Sequence, residues 1–267
     1  MLIDSSQKMT QVIRHFGIIP FFKSSVPGWS IEELTDPNCW FYSSDELGPW
    51  DWKIDALQQG DIAYGKFLSY KAAFATIEWY HHLMNWRRSE ARFRVALGER
   101  FPIKNTKDKL LKYLSPIALN AIRKNGSLEM SELRRICGSR ITDSQIKALG
   151  GKYTTELRPA VKKSVMDSVM QFLDMGTWTI IGDFTRVYRG ASLEYTGWQR
   201  SSITTPDAFF GELEGESSRE NFFWTKYIKE TECDNVPNCS PQESKSLIIE
   251  HLLNFFPDNK DTLEKVI

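Results

Sequence analysis

The sequence predicts an α+β protein: a winged-helix domain, preceded by an aromatic-rich mixed α/β domain and followed by an acidic helical tail. Three observations predict it. Residues 107–200 show apolar spacing in the order helix, short strand plus helix, helix, two-stranded ribbon. Aromatic residues make up 13% of the chain and crowd its first hundred positions. Charge is segregated along the chain: residues 107–200 hold 16 Lys/Arg against 9 Asp/Glu, residues 1–106 hold 12 of each, and residues 201–267 hold 6 against 13. The expected domains are therefore 1–106, 107–204 and 205–267.

The composition, 41% hydrophobic and 25% charged over 267 residues, is that of an ordinary globular chain. No run of about 18 apolar residues is present, so no membrane helix is expected. The opening MLIDSSQKMTQ lacks the apolar core of a secretory leader, and the four cysteines are well separated. A cytoplasmic protein with reduced thiols is the expectation.

In the first domain, Met9, Val12, Ile13 and Phe16 fall at helical spacing over residues 8–16. Ser30 with Glu33 three residues on fits a capping box. Alternating Trp50–Asp51–Trp52–Lys53 reads as a strand, its tryptophans inward and Asp51 and Lys53 toward water. Residues 61–68 and 71–77 read as a β-hairpin turning at Ser69–Tyr70. Residues 78–93 read as a helix with Trp79, Leu83 and Trp86 on its apolar side and arginines at its end. Residues 98–106 read as a linker.

The middle domain opens with helix 107–114, then a second helix restarting at Ser115–Pro116 and ending at Asn125–Gly126. Residues 127–130 fit a short strand, and 131–138 a helix stopped by Gly138. A polar loop with Gly150–Gly151 follows. Leu157, Val161, Val165, Val169 and Leu173 then recur every four residues, a buried stripe. The opposite side of that helix carries Lys163, Ser164, Asp167 and Gln171, with Lys162 on the flank; this is the candidate recognition helix. Residues 177–184 and 194–203 are the expected wing strands, with Arg186, Arg189 and Gly190 near the tip. In the tail, Thr205 caps a turn at Pro206. Residues 222–228 read as helical, and Ser240 with Glu243 opens a last helix carrying Leu247, Ile248, Leu252 and Phe255.

Basic residues on a helix and ribbon point to duplex DNA as the partner, because Lys and Arg contacts to phosphate release condensed counterions. Lys162, Lys163 and Gln171 are expected to face the groove, Arg186 and Arg189 to reach in from the wing, and Arg134 and Arg135 to touch the backbone. The bland alternative is a winged helix used for protein contacts. Asp167 on the same face opposes phosphate. The acidic tail is read as a solvated surface, or as an intramolecular competitor for the basic middle. No metal or cofactor is expected: Cys233 and Cys239 lack a nearby histidine partner, and adjacent His81 and His82 point apart on a helix. No phosphate-binding loop, dinucleotide fingerprint or nucleophile elbow occurs. Asp51 between two tryptophans is a candidate acid, since an apolar wall raises a carboxylate's pKa.

FGIIPFFKSSVPGWSIEELT, GPWDWK, GDIAYGKFLSYKAAFATIEWY, NWRR and TTPDAFFGE together resemble the AlkZ-related bacterial proteins, roughly over residues 12–211. Those in turn resemble alkylpurine DNA glycosylases built from tandem winged helices. The resemblance implies a Gln–apolar–Gln or Gln–apolar–Asp motif that positions the attacking water, and a β-hairpin that enters the duplex. This chain has no Gln-x-Gln; its nearest approach is Gln59–Gly60–Asp61, with glycine at the apolar position. If that tripeptide were catalytic, Asp61 would orient the water and Gln59 hold it. The expectation is a DNA-binding relative of the glycosylases. An active glycosylase working through Gln59/Asp61 or Asp51 is one alternative, and a protein-interaction module is the other.

Overall fold

A computed structural model describes residues 2–40, 47–149, 161–210 and 239–267. The described residues form a mixed α+β protein with two small antiparallel sheets. They gather into two compact units, Met1–Arg87 with Pro206–Ile267, and Arg88–Thr205. The chain after residue 205 groups with the first unit rather than standing alone. The expected helix 222–228 and Cys233 lie outside the described residues.

In the first unit, helix Ser6–Phe16 is capped by the Ser5 hydroxyl, which accepts from Lys8 N. Its Met9, Val12, Ile13 and Phe16 are buried, as their spacing predicts. Gly17 ends it at φ +68. Strands β1 (Ile18–Pro20), β2 (Ile62–Leu68) and β3 (Lys71–Thr76) pair antiparallel in the order β1-β3-β2. Pro20 is tolerated because β1 is an edge strand. The β2–β3 turn lies at Ser69 and Tyr70, with φ +44 and +65, the left-handed pair that matches strand twist. Ser30 caps the short helix Ile31–Leu34, its Oγ accepting from Glu33 N, while the Glu33 carboxylate accepts from the Ser30 hydroxyl rather than from the backbone N–H that a capping box would use.

The strand expected at Trp50–Lys53 is instead the start of helix Pro49–Gln58. Gly48 stands at its N-cap and Pro49 supplies a preset φ at the first position. Four alternating residues fit a strand or one helical turn equally well, and Gly-Pro decides. Burial changes with it: Trp52 is buried as expected, but Asp51 and Lys53 are 1% and 5% exposed, while Trp50 is 39% exposed. Helix Ile77–Ser89 follows β3 and buries Tyr80, Leu83 and Trp86.

The second unit is built on helix Thr106–Asn125, capped by Asn105. It runs unbroken through Pro116, where two helices were expected. Leu110, Leu114, Ala118, Ala121 and Ile122 hold one buried face across the proline. That face outweighs the lost hydrogen bond and ring clash, about 3 kcal/mol. Strand β4 (Ser127–Glu129) leads to helix Met130–Arg140, which passes through buried Gly138 instead of stopping there. The polar loop expected next contains helix Asp143–Leu149, opened by reciprocal bonds between Thr142 and Gln145. Helix Lys163–Met175 buries Val165, Val169 and Leu173 on the expected stripe, continued by Val161 before it. Strands β5 (Ile180–Arg189) and β6 (Glu194–Thr204) make a long hairpin, and β6 also pairs with β4, giving the order β4-β6-β5.

Helix Pro241–Leu253 carries the expected capping box at Ser240 and Glu243 and packs within the first unit. The His82 ring hydrogen-bonds Ser244 Oγ at 3.2 Å. His251 Nε2 donates to the Phe16 carbonyl at 2.9 Å and its ring stacks on Trp79 at 3.9 Å. Helix Lys260–Val266 follows; the Val266 carbonyl accepts from Ser69, and the Ile267 carbonyl from buried Arg87.

Burial holds both His82 and His251 below the ordinary imidazole range; for His251 the Phe16 bond and Glu78 oppose this, and His15 adds to it. Each ring therefore binds a proton more readily in the unfolded chain. Stability is full above the unfolded pKa near 6.5 and falls as pH drops below it. Thermal midpoints of the first unit, followed by near-ultraviolet dichroism from pH 7.5 to 5, are expected to decline. The double variant His82→Asn, His251→Asn should flatten that decline; an equally steep slope in the variant would assign the acid sensitivity elsewhere.

Candidate nucleic-acid interface

The candidate DNA-contacting residues belong to the second unit, and they differ in exposure and in their partners. Arg134 Nε donates to the Val161 carbonyl at 2.5 Å, while Val161 N donates to the Arg134 carbonyl at 3.2 Å. Arg134, half-buried, thus fastens the segment that enters helix 163–175 through its Nε. Arg135 is exposed and lies 3.8 Å from Glu132, both side chains more than half exposed. Such pairs contribute little and yield readily to phosphate.

Lys162 and Lys163 are exposed at the N-cap and first position of helix 163–175. Among the described residues, no side chain caps this end. Two lysines at the positive pole of a helix are unfavourable for the helix itself. Ser164 is exposed beside them, and Asp167 and Gln171 are half-buried further along.

On the hairpin, Arg186 sits across from Gln199 and is half-buried; Arg189 is exposed, across from Glu194 beside the turn. Gly190 takes φ +77 in that turn, and Leu193 follows at φ +53. Arg200 is exposed, 3.7 Å from Glu129.

The ribbon also displays what sequence reasoning missed. Trp198, Leu193 and Tyr188 are 76%, 70% and 52% exposed. The Tyr188 and Tyr195 rings meet across the strands at 5.7 Å, and Gln199 Nε2 donates to the Tyr195 hydroxyl at 2.9 Å. The ladder shifts register between Arg186 and Tyr188, opposite Gly197 at φ +73. The irregularity interrupts the strict alternation that would otherwise fix which side Trp198 faces. The sequence signal was the glycine before a tryptophan inside a strand pattern.

The acid candidates belong to the first unit. Gln59 lies at the end of helix 49–58 and donates to the Asp55 carbonyl at 3.2 Å. Asp61 takes two bonds from Arg14 Nη2, at 3.1 and 3.0 Å. Gly60 between them stands at φ +79, which explains glycine there by backbone geometry. Gln59 and Asp61 are thus drawn to different partners. Asp51 is buried beside Lys53, whose ammonium lies 4.7 Å from the Trp50 ring centroid. Burial pulls the Lys53 amine down to about 8, against the attraction of Asp51.

Among the described residues, no group of three or more His, Cys, Asp or Glu is placed to hold a metal ion. Among the same residues, no helix is long and apolar enough to cross a membrane.

Comparison with protein-family models matches the family described as AlkZ related over residues 3–267. No curated protein and no solved structure matches the chain. A match spanning nearly all of the sequence, along with the aromatic motifs described above, places this chain in the AlkZ-related family.

Proposed function

We propose that residues 88–205 form a winged helix that binds duplex DNA, in a protein related to alkylation-repair glycosylases that works without their Gln–apolar–Gln motif. The observation that carries this reading is the second unit's element order, closed by a cation- and aromatic-bearing ribbon. Helix, strand, helices and hairpin with sheet order β4-β6-β5 is the arrangement in which a winged helix offers one helix to the major groove, with helix 143–149 as an added element between helices 130–140 and 163–175. Helix 163–175 is the one offered, led by Lys162 and Lys163. The hairpin is the wing: Arg189 and Arg200 meet phosphate, and the exposed Trp198 ring gives an unstacked base a surface to lie on. Family membership supports the link to DNA repair. The engagement of Asp61 by Arg14 and of Gln59 by its own helix supports a role other than standard base hydrolysis.

The test is binding to a fluorescent duplex across a salt series, with and without an abasic-site mimic. Five phosphate contacts, from Lys162, Lys163, Arg135, Arg189 and Arg200, would give a log–log slope of roughly −4 to −5. Trp198→Ala is expected to weaken binding to the abasic duplex about tenfold, the value of one stacked base. A slope near zero would remove duplex DNA as the partner.

A further inference from the structure

Lys53 is buried in helix 49–58 at 5% exposure, yet its amine lies against a ring that reaches the surface. Trp50, 4.7 Å from Lys53 Nζ, is 39% exposed. Around Trp50 pack Phe21, Phe22 and Trp40, at centroid distances of 5.3, 5.6 and 6.5 Å. Phe22 is itself 37% exposed, so the cluster forms an aromatic surface with an amine at its edge. Asp51, on the same helix and 1% exposed, supplies negative charge that acts on that amine.

A solvated lysine at pH 7.5 is neutral in about one molecule per thousand. With its pKa lowered to about 8, Lys53 is neutral far more often than a solvated lysine. A desolvated, partly neutral amine beside a carboxylate is the chemistry of imine formation with a carbonyl. The aromatic surface suits a nucleotide as the carrier of that carbonyl.

We propose that Lys53 is a nucleophile that condenses with the ring-opened aldehyde of an abasic deoxyribose, giving this protein an imine-forming lyase activity. The proposal rests on the reading of the chain as a DNA-binding protein. The neutral Nζ adds its lone pair to C1′, the carbonyl oxygen takes up protons and leaves as water, and an iminium remains. Its positive charge replaces the ammonium beside Asp51. Loss of a C2′ proton gives the enamine, whose electron pair expels the 3′ phosphate as the C3′–O bond breaks. Water then hydrolyses the imine and returns the amine. Asp51 acts as a positioning residue, holding the cation on Lys53 and on the iminium.

The experiment uses the full chain, a labelled duplex with one natural abasic site, and borohydride, which reduces the iminium to a stable amine. A covalent protein–DNA band is expected, at least tenfold weaker in Lys53→Arg, which keeps charge and length. Binding to a duplex with a reduced, aldehyde-free abasic site is measured alongside. Binding without a trapped band, or an equal band in Lys53→Arg, overturns the lysine proposal and leaves DNA binding standing. Loss of both binding and trapping overturns the two readings together. Should Lys53→Arg fail to fold, Asp51→Asn decides. Removing the charge that raises the Lys53 pKa should move the rising limb of trapping against pH to lower pH, and an unmoved profile overturns the assignment.

Discussion

Gly17→Ala is expected to destabilise the first unit by about 4 kcal/mol, a large part of the 5–15 kcal/mol that holds a typical domain folded. Gly17 ends helix 6–16 at φ +68, where an L side chain costs roughly 1–2 kcal/mol. The remainder comes from space. A Cβ built there would lie 2.2 Å from Trp79 Cδ1 and 2.6 Å from its Nε1. Trp79 has little freedom to retreat, because His251 stacks on it at 3.9 Å and is itself tied to the Phe16 carbonyl. One added methyl therefore presses on the end of helix 6–16, on helix 77–89 and on helix 241–253 together. Urea unfolding followed by near-ultraviolet dichroism reads the loss directly. The pair Gly17→Ala, Trp79→Ala should cost less than the sum of its parts, since removing the indole opens the space. Strict additivity would mean that the ring was never the obstacle.

The second large effect concerns affinity. The triple variant Lys162→Ala, Lys163→Ala, Arg189→Ala should bind duplex DNA at 0.1 M salt roughly 100-fold more weakly than the parent and lose about 2–3 units of salt slope. All three side chains are exposed, so the fold should survive. Removing two cations from the positive pole of helix 163–175 should even help it by about 0.3–1 kcal/mol each. Arg134→Ala is the contrasting control. Its guanidinium holds the Val161 carbonyl, so its loss should lower the stability of the second unit and leave the salt slope unchanged. Unchanged affinity in a folded triple variant would show that these cations do not meet phosphate.

How much was legible in the sequence depends on the range over which each feature is decided. Helix 6–16, the 62–76 hairpin and the Ser240 cap follow from residues within four positions of one another, and the sequence predicts them. Trp50–Lys53 reads as a strand and folds as a helix because two periods fit so short a run. Pro116 was read as a break because the force that holds its helix together is burial of a face, which local rules do not weigh. Thr142 and Gln145, three positions apart, carry a capping signal within a stretch whose polar composition reads as a loop. Within the site, Lys162 and Lys163 could be placed from the stripe on the opposite side of their helix. Arg134 could not be sorted from Arg135, since its engagement depends on a carbonyl 27 positions away. The burial of Lys53 followed from the helix that replaced the expected strand.

The first unit is interrupted: its chain stops at residue 87 and resumes at residue 206. On a ribosome, the early strands and helices emerge without the closing helices that cover Trp79, His82 and Ser69. At about 5–20 residues per second, the wait for those last helices is on the order of ten seconds or more. Over that interval the nascent chain carries uncovered aromatic surface, the kind of surface that chaperones bind. The inserted unit meanwhile has all of its own sequence and can complete its core first.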